Sequence, residues 1–302
     1  MGPTASGKTD LALILREHFP VEIISVDSAM VYRGLDIGTA KPDADTLRKA
    51  PHRLIDIRDP VDAYSAGQFR LDALEHIVEI HAQGRIPLLV GGTGLYFRSL
   101  EKGIADLPSA DPEIRKRLSA EAELISWQSM HDKLSLIDAP AAKNIHPNDP
   151  QRIQRALEVF EISGKPLSSF YAEDAMAMLP YNLTKLQVLP SSRDVLHDRI
   201  RIRFEQMIEF GLVEEVEGLY AREDLSLDLP SMRLVGYRQV WQYLDGQLNK
   251  TEMVEKAIVA TRQLAKRQMT WLRSEENINT FDSLEAGFER KILNFLEDDL
   301  NL

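Results

Sequence analysis

The chain has 302 residues, a formal net charge of −11, 44% hydrophobic and 27% charged residues, and no cysteine. That length suits one large α/β domain carrying a smaller one. The lack of Cys excludes disulfides and thiolate zinc sites, and no apolar run approaches the ~20 residues of a membrane-spanning helix. With a phosphate loop at its start in place of a basic-then-apolar leader, the expected address is the cytoplasm. The acidic balance argues against nucleic acid as a bulk property, yet a local basic stripe on an acidic protein still binds phosphates.

Gly2-Pro3-Thr4-Ala5-Ser6-Gly7-Lys8-Thr9 fits the phosphate-loop pattern and runs into the apolar helical stretch Leu11 to Phe19. Its glycines let several backbone N–H groups point into one concavity, the helix start adds partial positive charge, and Lys8 adds a full one. Such a nest takes a pyrophosphate or triphosphate tail, with the Thr9 hydroxyl on a bridging Mg²⁺. A buried strand is expected before the loop, but only Met1 precedes it. The expectation is therefore a start at an internal Met or a truncated chain, with the central sheet one strand short.

Val21 to Val26 is a short apolar run ending at Asp27-Ser28, and reads as a buried parallel strand aimed at the ligand crevice. Asp27 is thus a candidate general base, with a capping role as the alternative. Met30 to Pro42 has no clear period and reads as a functional loop. Pro51 to Ile57 suggests a second strand, and Ser65 to Gln83 a helix; His52, His76 and His81 lack metal-ligand spacing. Ile86 to Val90 is an apolar strand breaking into Gly91-Gly92-Thr93-Gly94. An ATPase or GTPase usually ends such a strand with a metal-holding Asp. Here glycines allow a ligand to approach the backbone and Thr93 offers a hydroxyl to a leaving-group oxygen. One carboxylate at a strand end suits group transfer better than nucleotide-driven motion.

From about Ser109 the chain turns helical and charged, with no buried-strand run before Leu186. This predicts a helical insertion over 109–185, dividing a core made of 1–108 and 186–302. Within it, Asp149-Pro150 opens a helix on which Arg152 and Arg155 share a face. Leu186 to Pro190 is expected to rejoin the sheet, and the helix after it carries Arg193, Arg199, Arg201 and Arg203. Lys256 to Arg273 forms the last clear helix, where Arg262, Lys266 and Arg273 fall within about 40° of one another. That stripe is the strongest nucleic-acid signal, with a solvated face as the alternative. The acidic tail after Asn294 is expected to fray.

Taken together, these blocks resemble the bacterial tRNA dimethylallyltransferase family. The resemblance rests on residues 2–9, 27–42, 51–56, 91–96, His146 to Arg152, Val235 to Arg238 and Thr261 to Gln268, in order along nearly the whole chain. It implies a phosphate-loop NTPase-like α/β fold, with a parallel sheet, flanking helices and an all-helical insertion. The implied reaction passes a dimethylallyl group from dimethylallyl diphosphate to N6 of adenosine 37 in tRNAs reading codons that begin with U. By that likeness Gly2 to Thr9 (Gly2, Pro3, Thr4, Ala5, Ser6, Gly7, Lys8, Thr9) bind the diphosphate with Mg²⁺ near Thr9. Asp27 takes the N6 proton, and Thr93 and Arg203 stabilise the leaving diphosphate. The implied tRNA-facing residues form four segments. They are Asp27, Ser28, Ala29 and Met30; Gln151, Arg152, Ile153, Gln154 and Arg155; Arg233, Leu234, Val235, Gly236, Tyr237 and Arg238; and Lys266, Arg267, Gln268, Met269, Thr270, Trp271, Leu272 and Arg273. The expected partners are the tRNA anticodon stem-loop and the prenyl diphosphate, with no membrane and with the protein acting as a monomer.

Three other readings compete. A phosphate-loop kinase fits Gly-Lys-Thr but not the Gly-Gly-Thr-Gly strand end. An RNA-binding nucleotide switch requires a metal-holding acid that this chain does not show. A prenyltransferase acting on free adenylate leaves the insertion and the basic helix without a partner.

Overall fold

In the computed structural model, which describes residues 1–173 and 179–300, the glycine-rich loop leads into helix α1 (Lys8–His18), followed by strand β1 (Val21–Val26). Helix α2 (Ala44–Lys49) and strand β2 (His52–Arg53) come next. The extended run expected over 51–57 is cut to these two residues because Leu54 and Asp56 take φ of 65° and 57°, in the left-handed region that no strand continues through. Helix α3 (Ala66–Ala82) begins at a capping box in which Ser65 and Gln68 satisfy each other's backbone N–H groups. Strand β3 (Ile86–Gly91) and helix α4 (Gly94–Lys102) follow.

The three strands form a parallel sheet in the order β2-β1-β3, with Val21 opposite Ile86 and Val26 opposite Gly91. β1 is buried nearly throughout, as a central parallel strand requires. Because β1 and β3 end side by side, Asp27 and Thr93 leave the sheet at the same edge, where open α/β sheets place their ligands.

Helices α5 (Pro112–Ile125), α6 (Trp127–Ile137), α7 (Ala139–Asn144), α8 (Pro150–Ser163) and α9 (Leu167–Glu173) belong to a compact unit of their own, Glu101–Leu179. It begins earlier than the expected 109 and ends before the expected 185. Asp111 and Asp149 cap α5 and α8, each with Pro in the first turn. Leu118, Met130, Leu134, Ile153 and Leu157 form its core. Glu158 is wholly buried there, and burial pushes its carboxyl up. Bonds from Arg115, Arg155 and the Asp111 N–H outweigh that and hold it below the usual carboxylate range.

The other unit, Met1–Leu100 with Pro180–Leu302, continues with β4 (Lys185–Leu189), α10 (Arg193–Glu209), α11 (Leu212–Tyr220) and α12 (Tyr237–Leu244). It closes with α13 (Lys250–Leu272), β5 (Ile278–Asp282) and α14 (Phe288–Leu300). The expectation that β4 rejoins the main sheet is not met, since β4 pairs in parallel with β5 in a separate two-stranded sheet. In the position of the strand expected before Gly2 stands Met1, whose amine donates to the Leu186 carbonyl at 2.7 Å and whose carbonyl accepts from the Val188 N–H at 2.9 Å. The tail also departs from expectation. Instead of fraying after Asn294 it continues as α14, because Ile292 and Leu296 pack with Leu11, Leu15 and Val188. Among the described residues no helix is long and apolar enough to cross a membrane.

Candidate active site

The glycine-rich loop is shaped by close backbone approach. A Cβ on Gly2 would lie 2.4 Å from the Val188 carbonyl oxygen, so no side chain fits. Ala5 and Gly7 take φ of 61° and 90°, which turns successive N–H groups inward. Gly7 caps α1 without a side-chain bond, leaving the first helical N–H groups open to an anion. Lys8 donates to the Pro3 carbonyl at 2.6 Å, folding its ammonium back over the loop.

Burial lowers the Lys8 ammonium to a pKa of about 8; the nearby Asp27 carboxylate pulls it up and the Arg203 guanidinium pushes it down. Since the cation is the form that holds an anion, diphosphate affinity is expected to be flat below pH 8. Above it, binding must recruit a proton, and affinity falls by up to about tenfold per pH unit. Calorimetric titration with a diphosphate ligand between pH 7 and 10 checks this, and an affinity that does not decline, or declines equally in Lys8→Met, contradicts it.

Asp27 closes a turn at the end of β1, its Oδ1 accepting from the Ala29 and Met30 N–H groups at 2.8 and 3.3 Å. Oδ2 has no hydrogen-bond partner among the described residues. The Ser28 N–H donates to Thr93 Oγ1 at 3.1 Å, and the Thr93 N–H to the Val26 carbonyl at 3.3 Å, tying the two strand ends together. Arg203 arrives from α10, whose Ile200, Arg203, Phe204 and Met207 recur at helical spacing along one face. Its guanidinium makes no hydrogen bond or ion pair among the described residues. Burial pushes its pKa down, against an upward pull from Asp27 and Asp10.

These groups line one cavity of about 300 Å³. Lys8, Thr9, Asp27, Thr93 and Arg203 supply the polar side, and Phe204, Met207, Leu234 and Val235 an apolar one. The structure therefore brings together the phosphate loop, the candidate base and both candidate leaving-group residues.

Gly91 and Gly92 line the cavity, and the glycines at the end of β3 answer to packing within the chain as well. A Cβ on Gly91 would lie 2.0 Å from the Val26 carbonyl oxygen, on Gly92 2.4 Å from Gln268 Nε2, and on Gly94 2.5 Å from the Trp271 ring. They admit the neighbouring strand and two side chains of α13. Glu215 on α11 was not signalled by any motif. Its carboxylate accepts from the Asp36, Ile37 and Gly38 N–H groups at 3.0, 2.7 and 3.2 Å and from the Tyr237 hydroxyl, pinning one wall of the cavity to another. Burial, then Glu215, raises the Tyr237 hydroxyl above its ordinary range.

The segments expected to face nucleic acid divide by burial. Ile153 and Leu272 are fully or almost fully buried and serve packing, a correction to their expected place on the RNA-facing surface, whereas Tyr237, also buried, lines the cavity. Arg155 is spent on Glu158 and the Pro108 carbonyl, and Gln154 on the Arg115 carbonyl and Ser119. Gln151 and Arg152 face outward on the first turn of α8, as do Arg233 and Arg238 on their segment and Lys266, Arg267, Thr270 and Arg273 on α13. Among the described residues Arg238, Lys266, Arg267 and Arg273 have no ion-pair partner.

The cavity thus joins a phosphate loop, the Asp27 carboxylate and the Arg203 guanidinium to apolar side chains, a lining suited to an anion that carries an apolar group. A model described as IPP transferase matches residues 30–275. A tRNA isopentenylpyrophosphate transferase from Bacillus halodurans is 40% identical, with 99% of this chain and 95% of that one covered and a TM-score of 0.72. The corresponding enzyme from Staphylococcus epidermidis is 33% identical over 100% of this chain and 97% of that one, TM-score 0.71. A eukaryotic dimethylallyltransferase solved acting on tRNA is 25% identical over 98% and 76%, TM-score 0.81. The chain belongs to the IPP transferase family.

Proposed function

We propose that this chain transfers the dimethylallyl group of dimethylallyl diphosphate to N6 of adenosine 37 in tRNAs reading codons that begin with U, releasing diphosphate. The observation that carries this reading is the single cavity in which Lys8, Asp27, Thr93 and Arg203 meet beside the apolar surface of Phe204, Met207, Leu234 and Val235. The diphosphate sits on the loop N–H groups and Lys8, and the five-carbon chain lies against the apolar wall. Adenine N6 attacks C1 of the prenyl group, the C1–O bond breaks, and its electrons leave with the diphosphate. Asp27 Oδ2 takes the N6 proton as the C–N bond forms, since a neutral exocyclic amine is a poor nucleophile and the product ammonium must shed a proton. Thr93 and Arg203 meet the charge growing on the leaving oxygens. Loop bases splay into pockets at modest cost, which gives N6 its access.

The donors present fit Mg²⁺ held through the diphosphate. No group of three or more His, Asp or Glu among the described residues forms a cage, while Thr9 lines the cavity beside Lys8, and Mg²⁺ keeps several waters and takes few protein ligands. Bound there, Mg²⁺ would draw charge from the phosphate oxygens. A cytoplasmic address fits an enzyme acting on tRNA.

Two anticodon stem-loops test the acceptor atom, one with adenosine at position 37 and one with inosine, which lacks the exocyclic amine. Label from the prenyl diphosphate on the first alone is expected; equal labelling of both would overturn N6 as the acceptor. For the insertion, Arg152 is 71% exposed with only an Asp149 contact at 3.4 Å, and is free to meet a phosphate. Arg152→Ala is expected to weaken tRNA binding several-fold at low salt and to reduce the slope of log affinity against log salt by about one. Filter binding at several salt concentrations reads both, and an unchanged slope returns Arg152 to a solvated face.

A further inference from the structure

The proposed family role places Gln268 among residues facing tRNA, yet its side chain is already committed elsewhere. Its Oε1 accepts from the Thr4 N–H at 2.8 Å and its Nε2 donates to the Gly92 carbonyl at 3.1 Å. The orientation is forced, because the reversed amide would set NH₂ against an N–H and oxygen against a carbonyl. Gln268 therefore joins the phosphate loop to the turn after β3, the two segments from which Lys8 and Thr93 enter the cavity. Both partners are backbone groups, so neither loop can shift without breaking a bond.

The helix that carries Gln268 is fitted to these loops closely. Gly92 and Gly94 are the residues whose missing side chains admit Gln268 and Trp271. At about 100° per residue, Gln268 and Trp271 lie roughly 140–160° around α13 from the stripe formed by Arg262, Lys266 and Arg273. One face of α13 is thus basic and the opposite face braces the phosphate loop. A carboxamide that reached for RNA would leave the Thr4 N–H and Gly92 carbonyl without their partner.

We propose that Gln268 is a positioning residue for the diphosphate cradle and not a tRNA contact: its amide holds the Thr4 and Gly92 backbones in the register that a bound diphosphate needs. The proposal rests on the reading of this cavity as a diphosphate site. Its experiment measures binding apart from transfer, so that failure of one is distinguishable from failure of the other. Gln268→Ala and Gln268→Met are compared, the second keeping length and packing while losing both bonds. Titration with inorganic diphosphate and Mg²⁺ is expected to show affinity about tenfold weaker in both, because the Thr4 and Gly92 backbones are no longer held in the register the ligand needs. KM for the prenyl diphosphate rises in parallel, while tRNA affinity stays within about twofold. Full diphosphate affinity in Gln268→Met would reduce the residue to packing and overturn the proposal. Weakened tRNA binding with unchanged diphosphate affinity would overturn it in favour of a direct RNA contact.

Discussion

Asp27→Asn is expected to lower the transfer rate about a thousandfold, within the range found for removal of a general base, while tRNA and prenyl diphosphate bind within about twofold of the parent. Asn is the informative replacement. Its side-chain oxygen can still accept from the Ala29 and Met30 N–H groups, so the turn closing β1 keeps its shape. What it loses is the capacity of Oδ2 to carry a proton. Ala would confound that loss with a relaxed turn and with release of the Ser28 and Thr93 link that follows it. Single-turnover rates with both substrates saturating separate chemistry from binding. A rate within about tenfold of the parent would remove Asp27 as the base and leave it the cap that its strand-end position also allowed.

The second large effect is expected at Arg203. Removing one donor aimed at developing charge typically costs about 10²–10³ in rate, and Arg203→Ala is expected to fall in that range, with Arg203→Lys only partly restoring it. The same substitution carries an opposite expectation for stability. In the free protein the Arg203 guanidinium is largely desolvated, unpaired among the described residues, and close enough to Lys8 to depress its pKa. Deleting a charge so placed is expected to raise the melting temperature of the ligand-free protein even as it disables transfer, a trade common at active sites. Thermal melts with and without diphosphate read this directly. A destabilised Arg203→Ala with near-normal turnover would make the arginine structural.

The candidate site residues were legible in the sequence as far as local pattern marks them. A phosphate loop is set by its own glycines and Lys8, and Asp27 and Thr93 each end an apolar run that can only be a buried strand. Parallel pairing in register then brings the two together. Arg203 was singled out from Arg193, Arg199 and Arg201 only by the family resemblance, and it is the structure that sets the face of Ile200, Arg203, Phe204 and Met207 against the cavity. What the sequence did not disclose are interactions between side chains and distant backbone. Glu215 contacts residues more than 170 positions away, and Gln268 spans 264 positions to Thr4. Neither has a motif, since a carboxylate or amide serving a remote N–H needs no neighbours of a given type. Contiguous segments also overreach. Gln151 to Arg155 includes a core isoleucine, and helical geometry sends every third or fourth residue of such a run inward. The expectation that β4 rejoins the main sheet failed for a related reason, since β4 looks like any sheet strand in sequence while its pairing with β5 depends on what lies beside it.

Prenyl transfer is tested most directly by following label from dimethylallyl diphosphate to unmodified tRNA with the purified chain and Mg²⁺, with and without ATP. Label on the RNA, one diphosphate released per prenyl group transferred, and no response to ATP are expected. ATP hydrolysis coupled to tRNA binding, with no label on the RNA, would contradict prenyl transfer and make the loop a nucleotide site.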